Sequence, residues 1–480
     1  MNLLSEASPA GSYDVIVVGA GPNGLAAAIE LAAAGHSVCI FEANEIIGGG
    51  ARSAELTLPG FVHDVCSAVH PLAAGSPFFS KLSLTQYGLE FINPPAPLAH
   101  PFDDGTAVLL HRSVDATAKG LGADAEAYKN LMGPLVGDWS DLSHDLLGPL
   151  RIPHHPLKVA RFGFYGIRSA RSLVQRLFKD KRTRALFAGQ AAHSFLSLDR
   201  QATSAFALVL TTVAHVIGWP IVRGGSQKIT DTLASHFREL GGKIFTGVRV
   251  KALADLPRAQ VVMCDITPRQ LLSLTDNELP SGFRKKLQRY RYGPGAFKID
   301  WALRGPVPWK AVECFQAATV HLGGSFEEIS ASESATWRGQ HSDRPFVIIC
   351  QPTLFDRTRA PQDQQTLWGY CHVPNGSTFD MTERIENQIE RFAPGFRDQV
   401  LAKHVMSPAT LEEHNANIIG GDINGGVQDL RQLFTRPTMR SYSTPLKSLY
   451  ICSSSTPPGG GVHGMCGYHA ARKALRKAFK

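Results

Sequence analysis

The strongest indication of the fold is the sequence YDVIVVGAGPNGLAAAIELAAAGHSVCIFEANEIIGGGARS, residues 13–53. An apolar, β-rich run at 13–18 leads directly into the turn GAGPNG at 19–24, and an alanine-rich segment with high helix propensity follows. The next segment, SVCIFE, predicts a second strand that ends at Glu42. A strand, a glycine turn, a helix, a second strand and an acid in this order indicate a dinucleotide-binding site.

Each glycine of the turn has a separate expected role. Gly19 permits the tight turn, Gly21 lets the backbone approach a pyrophosphate, and Gly24 lets the helix pack against its strand. The N-terminus of the helix would then point at the phosphates. Glu42 is placed where a carboxylate accepts hydrogen bonds from a ribose.

A second glycine turn, EIIGGGARS, follows the acid. It places Gly48, Gly49 and Arg52 where they could approach the same pyrophosphate. Arginine suits this position because its planar guanidinium makes bidentate contacts to phosphate. A domain that binds only NAD has no evident need of this second turn.

The composition is that of an ordinary globular protein. The chain has 480 residues, 44% hydrophobic and 19% charged, and this length favours two or three lobes. Its eight cysteines are scattered, with no C-x-x-C pair and no His/Cys cluster at metal spacing, so we expect neither a metal site nor a disulfide framework. Free cysteines favour an intracellular protein, cytoplasmic or peripherally associated with a membrane.

Two segments require a targeting or membrane interpretation. Residues 1–12 contain an acid and lack the basic and apolar regions of a signal peptide, so we expect a short disordered leader. Residues 202–222 carry no Asp, Glu, Lys or Arg and are long enough to cross a bilayer. Because Gly218, Trp219 and Pro220 interrupt this run, we expect a buried helix that lines an apolar tunnel instead.

The positive charge is concentrated in one segment. The whole chain has a net charge of +8, whereas residues 151–184 contain ten Lys/Arg and one acid, Asp180. The sequence RSLVQRLFK predicts a helix with one apolar face and a basic remainder; the basic residues here are Arg168, Arg171, Arg176 and Lys179. A solvated helix face and a patch that rests on anionic lipid both stay open. We expect no nucleic-acid partner, because no recognised binding module accompanies the charge.

Both ends of the chain resemble known flavoproteins. Residues 13–52 resemble the FAD-binding start of the glutathione-reductase-type flavoproteins, and LYICSSSTPPGGGVHGMCGYHAARKAL, 449–475, resembles the C-terminal flavin segment of the phytoene desaturase-like (carotenoid oxidoreductase-like) family. Between them, FVHDVCSAVHPLA (61–73) and IIGGDINGG (418–426) are most similar to its non-carotenoid branch. Members of that branch are labelled pyridine nucleotide-disulfide oxidoreductase domain-containing proteins.

The resemblance implies an α/β fold with a glutathione-reductase-type FAD-binding Rossmann-like domain and a discontinuous α+β substrate domain. It implies non-covalent FAD. The expected FAD domain comprises residues 13–75, 215–269 and 431–480, and the substrate domain comprises 76–214 and 270–430. Carried over by position, the residues expected to hold FAD are Gly19, Gly21, Gly24, Glu42, Gly49, Arg52, Val250, Ser453, Gly461 and Val462.

The disulfide part of the branch label does not fit the residues. Disulfide reductase chemistry needs a redox-active cysteine pair and a second dinucleotide site. No two cysteines lie within five residues of each other, and no second G-x-G-x-x-G follows the first. We therefore interpret the label as ancestry rather than activity.

The expected reaction is hydride transfer at flavin N5 with an apolar, lipid-like or polyene substrate, by a desaturase, a saturase or a redox-assisted isomerase. His70 and His463 are the candidate catalytic groups, because both lie in flavin segments and imidazole titrates in the useful range. His63 and Asp64 are weaker candidates. The alternatives are a flavin amine oxidase and a non-catalytic lipid-binding protein of the same fold. Substrate, electron partner and oligomeric state stay open.

Overall fold

The first of two large sheets is parallel and carries the glycine turn. The computed structural model describes residues 12–479, so most of the expected leader at 1–12 lies outside the described residues. The sheet has the strand order β16-β10-β1-β2-β9. These strands are β1 (Tyr13–Val18), β2 (Val38–Phe41), β9 (Lys243–Phe245), β10 (Ala259–Cys264) and β16 (Leu449–Ile451). The central strand β1 is buried and rich in valine and isoleucine, as expected for a parallel strand covered on both faces.

Three helices accompany this sheet, and two of them approach each other closely. They are α1 (Pro22–Ala33), α10 (Gln227–Glu239) and α18 (Met465–Lys477). A Cβ atom on Gly467 of α18 would lie 1.9 Å from the carbonyl oxygen of Asn23 in α1. A Cβ atom on Gly24 would lie 2.0 Å from the carbonyl oxygen of Gly19. The packing of α1 against the glycine turn and against α18 therefore requires glycine at both positions.

The second large sheet is mixed and has seven strands. Its order is β15-β11-β14-β13-β12-β6-β7, and every neighbouring pair is antiparallel except β12 with β6. The strands are β6 (Ala96–Pro101), β7 (Ala107–Leu110), β11 (Gly295–Leu303), β12 (Ala317–Leu322), β13 (Val347–Cys350), β14 (Gln365–Val373) and β15 (Val400–Met406).

Smaller elements connect the two sheets. Two short ribbons pair β3 (Ser53–Glu55) with β4 (Val62–Asp64) and β5 (Phe91–Ile92) with β8 (Ile221–Val222). The remaining helices are α2 (Pro71–Ala74), α3 (Val114–Lys119), α4 (Ala125–Gly137), α5 (Trp139–Leu146), α6 (Pro156–Gly166), α7 (Ala170–Leu177), α8 (Lys181–Ala192), α9 (Thr203–Val216), α11 (Pro268–Thr275), α12 (Ser281–Gln288), α13 (Phe326–Trp337), α14 (Thr382–Phe392), α15 (Phe396–Gln399), α16 (Pro408–His414) and α17 (Leu430–Phe434).

The uncharged stretch 202–222 folds as helix α9 followed by a turn and strand β8. Ala207, Leu208 and Val213 of α9 are fully or almost fully buried and belong to the largest apolar core, which also contains residues of α4, α7 and α8. Across residues 12–479, no helix combines the length and the apolar character that a bilayer crossing requires.

The predicted fold class is confirmed. A Rossmann-like parallel sheet is assembled from three separated parts of the chain, and a mixed sheet with helices is inserted between them. The carboxyl ends of β1, β2 and β10 lie side by side, which is where doubly wound sheets bind their ligands.

Candidate functional site

One large cavity connects the glycine turn to the mixed sheet. It has a volume of about 940 Å³, at the upper end of the range for cofactor and ligand pockets. Of the residues expected to hold FAD, the ones that line it are Gly19, Gly21, Glu42, Gly49, Val250, Gly461 and Val462. His70 and His463 line it as well. The structure thus brings together residues that are more than 400 positions apart in sequence.

The glycine turn has the geometry that its sequence requires. Gly19 has a φ of +103°, which only glycine adopts without strain, and its N–H donates to the carbonyl of Phe41 at 2.8 Å. The N–H of Ala20 donates to Oε2 of Glu42 at 2.8 Å, and Oε1 of Glu42 accepts from the N–H of Asn44 at 2.9 Å. Glu42 therefore joins the end of β2 to the turn after β1, and it also forms part of the cavity wall.

The two glycine turns face each other across a narrow cradle. A Cβ atom on Gly49 would lie 3.2 Å from Cα of Gly21, and a Cβ atom on Gly21 would lie 2.8 Å from Oδ2 of Asp265. Side chains at either glycine would fill this space. The backbone around the N-terminus of α1 is thus open to a pyrophosphate, and the residues present fit a dinucleotide such as FAD.

Arg52 lies behind this cradle rather than in the cavity wall. Its guanidinium donates through Nε to the carbonyl of Gly49 at 3.2 Å and through Nη2 to the carbonyl of His414 at 2.7 Å. The side chain is buried, with 7% of its surface exposed. In the described structure Arg52 holds the second glycine turn against helix α16, and its expected contact with pyrophosphate stays a prediction.

Asp265 is a residue that sequence reasoning missed. It follows strand β10, and its Oδ2 accepts from the N–H of Gly24 at 2.9 Å, so it caps the N-terminus of α1 from another strand. Burial raises the pKa of this carboxyl to about 7, while the hydrogen bond from Gly24 opposes that rise and the charge of Glu42 adds to it. A group that changes charge near neutral pH therefore lies beside the expected pyrophosphate position.

The end of the cavity where adenosine is expected is lined by a segment that contains two cations. Residues 248–251 follow strand β9 and line the cavity, with Arg249 and Lys251 among them. The N–H of Val248 donates to the carbonyl of Glu42 at 2.8 Å, which fixes this segment beside the acid that is expected to contact a ribose. Val250 is at the position expected for a backbone contact to adenine.

The C-terminal glycine segment faces the cavity and leads into α18. Gly460, Gly461, Val462 and His463 line the cavity, and helix α18 begins directly after Gly464. The positive end of the helix dipole is therefore close to the cavity and favours negative charge there. Ser453 is oriented differently: its Oγ donates to the carbonyl of Ile266 at 2.8 Å, and its neighbour Ser454 lines the cavity instead.

A buried arginine organises the loops beside that segment. The guanidinium of Arg436 donates to the carbonyls of Asn424, Gly426, Val427 and Ser454, at distances from 2.6 to 3.3 Å. Only 1% of Arg436 is exposed. Asn424 and Ser454 both line the cavity, so Arg436 positions two loops of its wall without being part of it.

His70 is neutral and has one unused nitrogen. Its Nε2 lies 2.8 Å from Oγ of Ser226, and that hydroxyl donates to the carbonyl of Ser67. The hydroxyl must then accept from His70, so we assign the proton of His70 to Nε2. Nδ1 of His70 has no partner within residues 12–479. Burial lowers the pKa of His70 to about 4, so the ring is uncharged at neutral pH.

His463 closes a turn. Its Nδ1 accepts from the N–H of Met465 at 3.0 Å, and its carbonyl accepts from Oγ of Ser76 at 2.6 Å. Burial lowers the pKa of His463 to about 4, although hydrogen bonding to the carbonyls of Gly460 and Gly459 opposes this. These contacts fit a structural role, and the catalytic role of His463 stays a prediction.

The weaker candidates His63 and Asp64 lie outside the cavity wall. Asp64 accepts from Nη2 of Arg359 at 2.9 Å and from the N–H of Ser226 at 2.8 Å. Burial alone would raise the pKa of Asp64, but Arg359 and the Ser226 hydrogen bond hold it below its usual value. Both residues connect the β3–β4 ribbon to neighbouring elements, which is a structural function.

The part of the cavity away from the glycine turns is an apolar chamber. The mixed sheet supplies Ile348 and Tyr370, which are direct cross-strand partners and so point to the same face. The helical side supplies Phe162 of α6 together with Phe206 and Leu210 of α9. The expectation that residues 202–222 line an apolar tunnel agrees with this arrangement. The sequence did not predict that the mixed sheet lines this chamber.

The cysteines of the described residues form no disulfide. Throughout residues 12–479 all of them are free thiols, and Cys66 and Cys350 line the cavity singly. Burial raises the pKa of Cys66 to about 11, so its thiol is protonated at neutral pH. A reactive cysteine requires a lowered pKa.

Comparisons with known proteins agree with this site. The family described as NAD(P)-binding Rossmann-like domain matches residues 17–80. Pyridine nucleotide-disulfide oxidoreductase domain-containing protein 2 from Rattus norvegicus is 26% identical, with 97% of this chain and 93% of that protein covered. A phytoene desaturase (neurosporene-forming) from Rhodobacter capsulatus is 23% identical, with 94% and 91% covered.

Among solved structures, a triple mutant of putrescine oxidase superposes with a TM-score of 0.63 at 17% identity, covering 97% of this chain and 99% of that one. At this identity the similarity shows the fold alone. The expected resemblance to phytoene desaturases and to the non-carotenoid branch is confirmed, and the chain is an oxidoreductase.

Proposed function

We propose that this oxidoreductase, homologous to phytoene desaturases along almost its whole length, binds FAD non-covalently and acts on an apolar, lipid-like substrate. The observation that supports this best is the continuous cavity. Its polar end is bounded by the glycine turns at 19–24 and 48–50, and its apolar end by the mixed sheet and α9. When bound, FAD supplies a two-electron hydride acceptor at N5.

The residues that would hold FAD act mainly through the backbone. The cradle between Gly21 and Gly49 accommodates the pyrophosphate, and the N-terminus of α1 favours its charge. Glu42 would accept hydrogen bonds from the ribose, and the segment 248–251 would border adenine. The start of α18 would favour negative charge on the ring system.

The chamber residues would bind and orient the substrate. Phe162, Phe206, Leu210, Ile348 and Tyr370 offer an apolar surface and no charge. Such a lining excludes water and binds hydrocarbon through burial of apolar area, at about 25 cal/mol per Å². A small amine cation would lose its hydration against these five side chains, none of which is a carboxylate, so they favour a lipid-like substrate over an amine.

His70 is the residue that we propose for proton movement. Its Nε2–H is held by Ser226, and its free Nδ1 is the unprotonated nitrogen. A neutral imidazole in this state can accept a proton but cannot donate one from Nδ1. We therefore assign to His70 the role of a proton acceptor or of an orienting group, not of a general acid.

The cofactor proposal is tested by the absorption spectrum of the purified protein and of two glycine variants. The parent should be yellow and release intact FAD on denaturation. Gly21→Val should abolish flavin retention, because its side chain would meet Asp265 and fill the cradle. The matched control is Gly133→Val, since a Cβ atom on Gly133 meets nothing within 4 Å. Equal flavin content in both variants would contradict the assignment.

The substrate proposal is tested without oxygen. A lipid extract should bleach the flavin of the parent protein, whereas a panel of primary amines including putrescine should not. Bleaching by amines alone would favour the flavin amine oxidase alternative. A colourless protein that cannot be reconstituted with FAD but retains lipid would favour the non-catalytic lipid-binding alternative.

A further inference from the structure

A cluster of exposed apolar side chains lies at the corner formed by the end of α5, the following loop and helix α6. Its members, with their exposed fractions, are Leu150 (64%), Ile152 (90%), Leu157 (85%), Phe164 (56%) and Ile167 (57%). Within residues 12–479, thirteen large hydrophobic side chains are exposed, and these five lie within 18 consecutive residues. Single exposed hydrophobic residues are ordinary, whereas a cluster marks an interaction surface. We call residues 150–167 the apolar corner.

Helix α6 has one buried face and one exposed face. Leu157 and Phe164 are seven residues apart and so lie on the same side of the helix, where both are exposed. Phe162 points the other way, is 9% exposed and lines the apolar chamber. The same helix therefore separates the chamber from the apolar corner.

The charged residues within and directly after the apolar corner are all basic in sequence. From Asp145 to Asp180 the chain carries no Asp or Glu but has seven Lys/Arg. The guanidinium carbon of Arg168 lies 4.3 Å from the ring centroid of Phe164, an arrangement in which an apolar ring and a cation share one surface. Arg176 and Lys179 are also exposed nearby in sequence.

Ion pairs within the protein reduce the attraction to anionic lipid that the basic sequence of residues 151–184 suggests. Arg151 pairs with Asp145 at 3.7 Å, and Lys158 and Arg161 pair with Asp138 at 3.0 and 3.2 Å. Farther along, Arg171 pairs with Asp199 and Arg182 with Asp104. Half of the ten basic side chains in 151–184 thus have a carboxylate partner. The apolar side chains, not the total charge, distinguish this surface.

We propose that the apolar corner docks on a lipid bilayer, with its five apolar side chains in the headgroup and acyl boundary and Arg168 at the headgroups. An amphipathic element with basic flanks binds membranes in this way. A second copy of the chain fits less well, because contact between two apolar corners would bring like-charged cations together. Docking also places hydrocarbon next to the helix that walls the apolar chamber. Docking on the bilayer does not depend on FAD; only the delivery of substrate rests on the proposed function.

The test is co-sedimentation of the purified full chain with vesicles of phosphatidylcholine, alone and mixed equally with phosphatidylglycerol. The parent should bind both kinds of vesicle, and at low salt it should bind the mixed vesicles more tightly. The variant Ile152→Ser, Leu157→Ser, Phe164→Ser should bind ~1000-fold more weakly, because each of the three inserted side chains contributes about tenfold. The control variant Val312→Ser, Phe434→Ser, Met439→Ser removes three equally exposed apolar side chains elsewhere and should bind like the parent.

A further variant, Arg168→Gln, Arg176→Gln, Lys179→Gln, should lose the preference for mixed vesicles and keep its binding to phosphatidylcholine. A parent that stays in the supernatant with both vesicles, or a serine variant that binds like the parent, would overturn the proposal. A parent that is dimeric and a serine variant that is monomeric, with neither on vesicles, would assign the corner to a second copy instead. Flavin content, measured on every variant, should equal that of the parent, which separates this test from that of the cofactor.

Discussion

The backbone N–H of Gly24 donates a 2.9 Å hydrogen bond to the carboxylate of Asp265, so an acid occupies the N-terminus of the helix that faces the proposed pyrophosphate site. Helix N-termini bind anions because their N–H groups are unpaired. Here one of those groups is already satisfied by a side chain from β10. The charge of that side chain should therefore influence how strongly a dinucleotide binds.

We expect FAD retention to depend on pH through Asp265. Since burial raises the pKa of Asp265 to about 7, the carboxyl is neutral below that pH and charged above it. Ionisation would repel the pyrophosphate and weaken FAD binding on the order of tenfold. In Asp265→Asn the amide oxygen can still accept from Gly24, and FAD affinity should no longer fall as pH rises through 7. Titration of apoprotein with FAD below and above pH 7 measures this, and identical pH profiles for parent and variant would contradict it.

The free energy of unfolding should decrease as the pH falls below about 6.5. Burial lowers the pKa of eight histidines to about 3 or 4; they are His63, His70, His100, His193, His215, His414, His463 and His469. Between pH 6.5 and 4 the unfolded chain binds protons that the folded chain does not, so stability is present above 6.5 and lost below it, by up to about 1.4 kcal/mol per group per pH unit. The raised pKa values of Asp265 and Asp300 favour the folded state at low pH, but these are two groups against eight histidines.

Urea unfolding across this pH range measures the effect. In His100→Gln the free energy of unfolding should depend less steeply on pH. A glutamine amide can replace the Nε2 contact to the carbonyl of Gly324 but does not titrate. The matched control is His144→Gln at an exposed position. A parent whose stability is constant down to pH 4 would show that the histidines are not protonated by unfolding.

Replacing Arg436 should remove the hydrogen bonds that hold two loops of the cavity wall together. Arg436→Met leaves the carbonyls of Asn424, Gly426, Val427 and Ser454 without their donor, and we expect a loss of stability of about 3 kcal/mol or more together with reduced flavin content. Arg436→Lys can restore some of these bonds and should be intermediate. The checks are urea unfolding and the ratio of flavin to protein absorbance. Full flavin content in Arg436→Met would show that the loops do not depend on this side chain.

The contact between α1 and α18 should not tolerate a side chain at Gly467. Gly467→Val places Cβ 1.9 Å from the carbonyl oxygen of Asn23, so the helices must separate, at a cost of about 3 kcal/mol or more. Because both helices begin at the cavity, flavin retention should fall as well. Gly133→Val is again the control for the same substitution in open space. Thermal unfolding of both variants distinguishes the packing effect from the helix propensity of valine.

His70→Gln should retain flavin and lower the rate of flavin bleaching by the lipid extract by ~100-fold or more, the typical contribution of a general base. Glutamine keeps a donor for Ser226 but lacks the free imidazole nitrogen. Ser226→Ala is the companion variant, since it keeps the imidazole and removes the hydroxyl that holds it. Because the pKa of His70 is about 4, the bleaching rate of the parent should show no inflection from this group near neutral pH. An unchanged rate in His70→Gln would limit His70 to packing.

The Rossmann-like unit and most of the polar end of the cavity could be predicted from local patterns in the sequence. Gly19, Gly24 and Glu42 act within a single strand-turn-helix-strand unit, where the spacing along the chain sets the geometry. The positive φ of Gly19 and the close approach of Gly24 to that turn are local backbone constraints that only glycine meets. Local constraints of this kind can be recognised in a linear pattern.

The features that join distant parts of the chain could not be predicted from the sequence, because they depend on how the elements pack. Asp265 meets Gly24 across 241 positions, Arg436 gathers carbonyls from two loops, and the mixed sheet contributes Ile348 and Tyr370 to the chamber. Likewise, the basic segment looked unpaired because Asp138 and Asp145 lie outside it in sequence but next to it in space. Burial and pairing of charges depend on three-dimensional neighbours, and these neighbours follow from how the elements pack rather than from their order along the chain.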